Sequence, residues 1–128
     1  MGSYKDLVVF KKAYSLAMDI LQISKSFPSD EKFSLTDQIR RSSRSVCVNI
    51  GEAYRRRKYP AHFVSKLTDS NAENTETEIW IQFSLDCKYL NDVQYKNFSD
   101  RCEEVGRMLG SMIEHPEKFC SRGQVGSG

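Results

Sequence analysis

The chain has 128 residues, a length that fits one domain, and its formal charge is close to balanced at +2. Hydrophobic residues make up 39%, in runs far too short to cross a bilayer, and no charged-then-apolar leader opens the chain. A membrane-spanning class is thereby excluded, and the cytoplasm is the expected compartment. Cys47, Cys87, Cys102 and Cys120 are scattered without a Cys-x-x-Cys pair. That spacing argues against a zinc site or a thioredoxin-like motif, and Cys47 and Cys102 read as small buried hydrophobes.

The first helix is predicted over Tyr4 to Lys25, with Leu7, Phe10, Tyr14, Ala17, Leu21 and Ser24 recurring at three and four on its inward face. Phe27-Pro28 ends it, because the residue before proline is pushed out of helical geometry. Ser29-Asp30-Glu31 leaves room for a short turn, and Ser34-x-x-Asp37 resembles a capping box. The second helix, Ser34 to Lys58, carries a narrow seam at Leu35, Ile39, Ser42, Val46, Ile50 and Ala53. Small and polar side chains at Ser42, Ser43, Ser45 and Asn49 let a neighbour approach closely, so this helix is expected to be the most enclosed. Its remaining faces hold Arg40, Arg41, Arg44, Arg55, Arg56, Arg57 and Lys58, opposed only by Asp37 and Glu52.

Pro60 suits the first position of a third helix, predicted to run to about Leu90. That helix is apolar at both ends (Phe63, Val64, Leu67; Ile79, Trp80, Ile81, Phe83, Leu85) and polar from Asp69 to Glu78. A polar belt halfway along a bundle helix either faces water or meets polar groups on a neighbour. Antiparallel packing would level it with the polar zone of the second helix, setting Glu73 or Glu76 against Arg40, Arg41 or Asn49. Such a cluster would specify register more than it stabilises.

Asn91 caps the fourth helix, with Gln94 three residues on. Its stripe is Phe98, Cys102, Val105, Leu109 and Met112, and His115-Pro116 ends it. Gly106 and Gly110 weaken a helix by about 1 kcal/mol each, and a close helix contact is expected to account for them. Residues 1–120 thus form one domain, and the Gly- and Ser-rich 121–128 is expected to be a disordered tail. Short links between four helices, with no alternating strand pattern, predict an all-α fold, an antiparallel up-down-up-down four-helix bundle.

No catalytic constellation emerges. Neither His62 nor His115 has the Glu three residues before it that a di-metal bundle site needs. No Walker loop or Gly-x-Ser-x-Gly elbow occurs. The expectation is a non-enzymatic protein with no metal and no cofactor. Charge is more informative. Arg40 to Lys58 holds seven bases and one acid, whereas Asp69 to Glu104 holds nine acids and three bases. Asymmetry of this kind points to an electrostatic partner or to self-association. Arg forks match phosphate oxygens, and Tyr54, Tyr59 and His62 beside the Arg55–Lys58 run offer rings on which unpaired bases stack. Solvated surface and tyrosines packed in the core are the competing account of the same residues.

Several segments together resemble one known family. They are Asp6-Leu7 through Lys12-Ala13, Phe27-Pro28-x-x-Glu31, Leu35-Thr36-x-Gln38-Ile39-Arg40-Arg41, Ser45-Val46-x-Val48-Asn49-Ile50-Gly51-Glu52, and Ser70-x-x-Glu73-x-x-Glu76-Thr77. The chain is similar over nearly the whole of Tyr4 to Met112 to the four-helix-bundle proteins encoded in intervening sequences of 23S rRNA genes. It departs from their Asn-Ile-Ala-Glu-Gly motif, with Gly51 for Ala and Ala53 for Gly. The resemblance implies an antiparallel bundle assembled as a homopentamer, with no known catalysis. Ribosome association is inferred for members from gene location. A related branch, accessory proteins of diversity-generating retroelements, binds reverse transcriptase and nucleic acid through a basic surface. The matching residues here are Arg40, Arg41, Asn49, Glu52, Glu73 and Glu76. The expected function is oligomeric binding of nucleic acid, structured rRNA foremost, through Arg40, Arg41, Arg44, Arg55, Arg56, Arg57 and Lys58. Asn49, Glu52, Glu73 and Glu76 are expected to form a structural polar cluster. The alternative is a protein-interaction scaffold or a reverse-transcriptase partner, in which the basic second helix meets the acidic third helix of a neighbour.

Overall fold

Four helices carry the chain in the computed structural model, which describes residues 2–120. They are α1 (Val8–Ser24), α2 (Leu35–Arg55), α3 (Pro60–Asp86) and α4 (Asp92–Glu114), with single 3-10 turns at Tyr4–Asp6, Ser29–Glu31 and Pro116–Lys118. No strand occurs among the described residues. Each helix packs on the next in sequence, α1 also meets α4, and the α2–α3 seam is the most extensive of these. The tail expected at 121–128 lies outside the described residues.

Each helix boundary has a local cause. Ser3 caps the opening turn by accepting the Lys5 N–H, and Leu7 then turns extended before α1 begins. The helix predicted from Tyr4 is therefore a turn, a buried anchor at Leu7, and a helix from Val8. The expected capping box at Ser34 does not form. Ser34 donates instead to Glu31 Oε1 at 2.6 Å, and the same oxygen accepts the Leu35 N–H at 3.4 Å, so Glu31 does the capping. Hydrogen bonds from Ser34 and Tyr89 lower the Glu31 pKa. The helix α2 stops at Arg55, three residues short of the expected Lys58, because Arg56–Tyr59 closes into a turn ahead of Pro60, with Tyr59 N–H bonded to Arg56 O at 2.9 Å. The helix α3 ends at Asp86 rather than Leu90 because Lys88 takes a positive φ of 64° and folds the chain back. The Asn91–Gln94 capping box forms as expected.

The α2 seam is buried at all six expected positions, with Ile50, Ala53 and Ser42 at 0% exposure. The α4 stripe is likewise buried throughout. The α1 face differs. Val9, Ala13, Leu16, Ala17, Ile20 and Ser24 point inward, while Tyr14 is 53% exposed and Phe10 and Leu21 are only half-buried. This helix is apolar on two sides, and its outer side borders a groove beside α2. Along α3 the inward positions are Phe63, Leu67, Ser70, Asn74, Thr77, Ile81 and Ser84, an unbroken four-three repeat. Its polar belt thus contributes Ser70, Asn74 and Thr77 to the interior, between two apolar clusters. One gathers Leu7, Val9, Ile50, Phe63, Leu67 and Leu109, the other Leu16, Ile20, Ile39, Ile81 and Phe98.

Candidate nucleic-acid interface

The polar zones of α2 and α3 meet, as the sequence suggests, and Arg41 is the hub. Its guanidinium spans Glu73, at 3.2 and 3.3 Å, and Glu76, at 2.6 Å. The paired carboxylates raise the Arg41 pKa, and the guanidinium beside Glu76 lowers that carboxyl. Ser45 also donates to Glu73, at 3.0 Å. Asn49 Nδ2 reaches back to Ser45 O at 2.9 Å, and Lys66 Nζ bridges Asn49 Oδ1 and Glu52, each at 3.3 Å. A continuous polar ladder therefore runs from Glu52 through Lys66, Asn49, Ser45, Glu73 and Arg41 to Glu76, which also holds the Trp80 N–H at 3.2 Å. All four residues expected in a structural polar cluster are in it.

A second, buried layer lies inside this ladder. Thr77 donates to Ser42 Oγ at 2.8 Å, Ser70 to Val46 O at 2.8 Å, and Asn74 to Cys102 O at 2.9 Å. Sequence reasoning does not identify the roles of Lys66, Ser70, Asn74 and Thr77. The last three do carry a signal, since they fall on the α3 stripe at four-three spacing.

The seven basic residues separate into different environments. Arg40 Nε donates to Ser24 Oγ of α1 at 2.8 Å and is half-buried. Arg41 is neutralised within its own subunit by Glu73 and Glu76, which removes it from a free cationic surface. Arg57 lies over the Tyr54 ring at 3.6 Å from its centroid and donates Nε to Tyr54 O at 2.9 Å. Tyr54 is thereby buried beneath a guanidinium rather than open to a base. Tyr59 remains 57% exposed, with its ring 5.7 Å from that of His62. Arg44, Arg55, Arg56 and Lys58 are exposed and make no ion pair among the described residues.

Because α2 stops at Arg55, the run Arg55 to Lys58 wraps the end of the molecule instead of extending one helix face. Arg55, Arg57 and Lys58 line a hollow of about 680 Å³ there, with Ser3, Tyr4 and Phe119. No carboxylate lines it among the described residues. The environment suits an anion with several acceptor oxygens. Among the described residues, no three His, Cys, Asp or Glu side chains gather as a metal-ion site. No described helix is long and apolar enough to cross a membrane.

The family model of the 23S rRNA-intervening sequence proteins matches residues 5–111. A solved structure of a protein of unknown function from the S23 ribosomal protein family of Bacteroides thetaiotaomicron VPI-5482 is similar. It is 30% identical, with a TM-score of 0.76, and the match covers 84% of this chain and 96% of that one. No curated protein matches the chain.

Proposed function

The chain belongs to the 23S rRNA-intervening sequence protein family, and from that premise we propose a non-enzymatic, oligomeric protein that binds structured RNA through the basic end where α2 turns into α3. The acid-free hollow lined by Arg55, Arg57 and Lys58 carries this reading. Exposed Arg56, Tyr59 and His62 lie beside it in the chain and extend the contact. Three cations around a concave end suit a phosphate-rich ligand better than a flat acidic protein surface. Arg40 and Arg41 serve the fold in this reading, and Arg44 stands apart on the α2 flank.

The up-down-up-down bundle belongs to the same proposal. Its support is the order of cross-helix pairs. Ser42–Thr77, Val46–Ser70 and Asn49–Lys66 step in opposite directions along α2 and α3. Gln82–Tyr95 and Asn74–Cys102 do so along α3 and α4, and Lys12–Glu104 and Asp19–Arg101 along α1 and α4. Assembly as a homopentamer and residence in the cytoplasm complete the proposal. A scaffold role, with reverse transcriptase as one partner class, is favoured by a different observation: the apolar groove beside α1 and α2.

Fluorescence anisotropy with a labelled 23S rRNA helix fragment tests the RNA reading. The affinity falls with salt, and Arg55→Gln/Arg56→Gln/Lys58→Gln lowers the slope of log K against log salt by about 1 for each phosphate no longer neutralised. No binding at low ionic strength, or a triple variant that binds like the wild type, sinks it.

A further inference from the structure

Among the described residues, two apolar surfaces stand uncovered and differ in shape and in charge. One is concave. Tyr14, Met18 and Leu21 of α1 and Val48 and Gly51 of α2 line a groove of about 560 Å³. Its walls are open, with Val48 59% and Met18 42% exposed. Along α2 the groove-side residues include Arg44, Val48, Gly51 and Arg55, a four-three-four repeat with a cation at each end. Glu52 also borders the groove, but Lys66 pairs with it at 3.3 Å.

The other surface is a ridge on α3. Ile79 and Phe83 are half exposed on the side opposite the buried stripe. They belong to a second four-three repeat, Asp69, Ala72, Glu76, Ile79, Phe83 and Asp86, that carries three acids and no base. Glu76 is already held by Arg41 at 2.6 Å, which leaves Asp86, about one turn beyond Phe83, as the acid at the exposed end of the ridge, while Arg44 and Arg55 stand at the two ends of the groove about 16 Å apart at 1.5 Å per residue. The cationic groove and the ridge therefore match in their apolar centres and in opposite charge at the Asp86 end. Isolated exposed apolar side chains are ordinary, but paired faces with complementary charge on one surface are not.

We propose that the Ile79–Phe83 ridge of one copy of this chain docks into the α1/α2 groove of the next copy, head to tail. Groove and ridge lie on different faces of the chain, so the contact is heterologous, and repeating it builds a ring when the rotation closes. The inference rests on the oligomeric part of the proposed function and specifies which two surfaces meet. Arg55 borders both the groove and the basic hollow, and the ridge has no part in the hollow.

Light scattering on complementary variants tests it. Met18→Glu/Val48→Glu spoils only the groove, and Ile79→Glu/Phe83→Glu spoils only the ridge. All four positions are exposed, and circular dichroism checks that each variant folds. The wild type runs as a closed oligomer, and each variant alone runs as a 14.7 kDa monomer. An equimolar mixture forms a dimer and nothing larger, since one intact groove meets one intact ridge. A monomeric wild type, a variant that keeps the wild-type mass, or folded variants that never pair in sedimentation runs at high concentration overturn the docking. Charge gives a second arm that leaves the core alone. Arg44→Glu raises the dissociation constant of the assembly at least tenfold, and Asp86→Lys in the same chain recovers part of it; no effect of either counts against the proposal. RNA anisotropy on the same samples separates the two ideas. A monomeric wild type that binds RNA sinks the docking alone, and an assembled protein blind to RNA sinks the basic-end reading alone.

Discussion

Thr36 is the one buried side chain among the described residues whose hydroxyl finds no partner. It is 6% exposed, in the first turn of α2. An unsatisfied buried hydroxyl costs about 1–3 kcal/mol, and valine has nearly the same shape without it. Thr36→Val is expected to stabilise the protein by about 1 kcal/mol, read as a rise in urea midpoint at unchanged slope; a fall in midpoint shows that the hydroxyl is satisfied in solution. Positions like this one are not legible in sequence, since a threonine in a first helical turn looks like any cap neighbour. The thiols are legible. Burial pushes Cys47 up to about 11 and Cys102 up to about 12, as small hydrophobes in an apolar setting should behave. Cation placement is legible only in part. Charge and spacing put Arg41 opposite Glu73 and Glu76, yet the same reasoning counts Arg41 among the free bases. A guanidinium has enough reach to join either the seam or the surface, and only the neighbouring helix decides.

Helix identity follows from periodicity wherever one face alone is apolar, as in α2 and α4. It fails on α1, where two apolar faces share Ala17 and the stripe read from sequence mixes them. The outer of the two is the wall of the groove. The α4 glycines show the same ambiguity. One explanation, a close helix contact, is expected from sequence to cover both. A Cβ on Gly106 would stand 3.3 Å from Asn74 Nδ2, which is held on Cys102 O, while a Cβ on Gly110 meets nothing within 4 Å. Gly110→Ala is therefore expected to stabilise by about 1 kcal/mol through helix propensity. Gly106→Ala should gain less or lose stability, because Asn74 must shift to admit the methyl. Equal gains at both sites would show that the Asn74 layer is loose. Between α2 and α3, the Arg41–Glu76 pair is half exposed on the Arg side, so a double-mutant cycle should return a coupling of about 0.5–1 kcal/mol at neutral pH. The Glu76 pKa is lowered in the folded state, so its contribution is complete above the ordinary carboxylate value of 4.5 and is lost as pH falls through the lower folded value. A coupling that strengthens as pH falls below that ordinary value contradicts the assignment.

Two apolar clusters separated by the Ser42, Ser70, Asn74 and Thr77 layer give the whole molecule a marked register. Sliding α3 along α2 by one turn would strand Thr77 and Ser70 against apolar walls and part Arg41 from its carboxylates, at a cost of about 1–3 kcal/mol for each stranded group. A fixed register in turn fixes where the basic end lies relative to groove and ridge. In a head-to-tail ring every copy has the same orientation about the axis, so the Arg55–Lys58 ends recur at one level around it. An RNA long enough to reach two of these ends would make its second contact intramolecular, with an effective concentration set by the spacing of the copies. Phe83 lies on α3 and outside the hollow. Phe83→Glu is nonetheless expected to weaken RNA binding at least tenfold and to flatten its salt dependence, because a monomer neutralises fewer phosphates. Lys58→Gln, which alters the hollow and not the groove, should weaken binding without changing the mass of the assembly. Equal affinity for ring and monomer would mean that each copy binds RNA alone, and that assembly serves some purpose other than multiplying the basic ends.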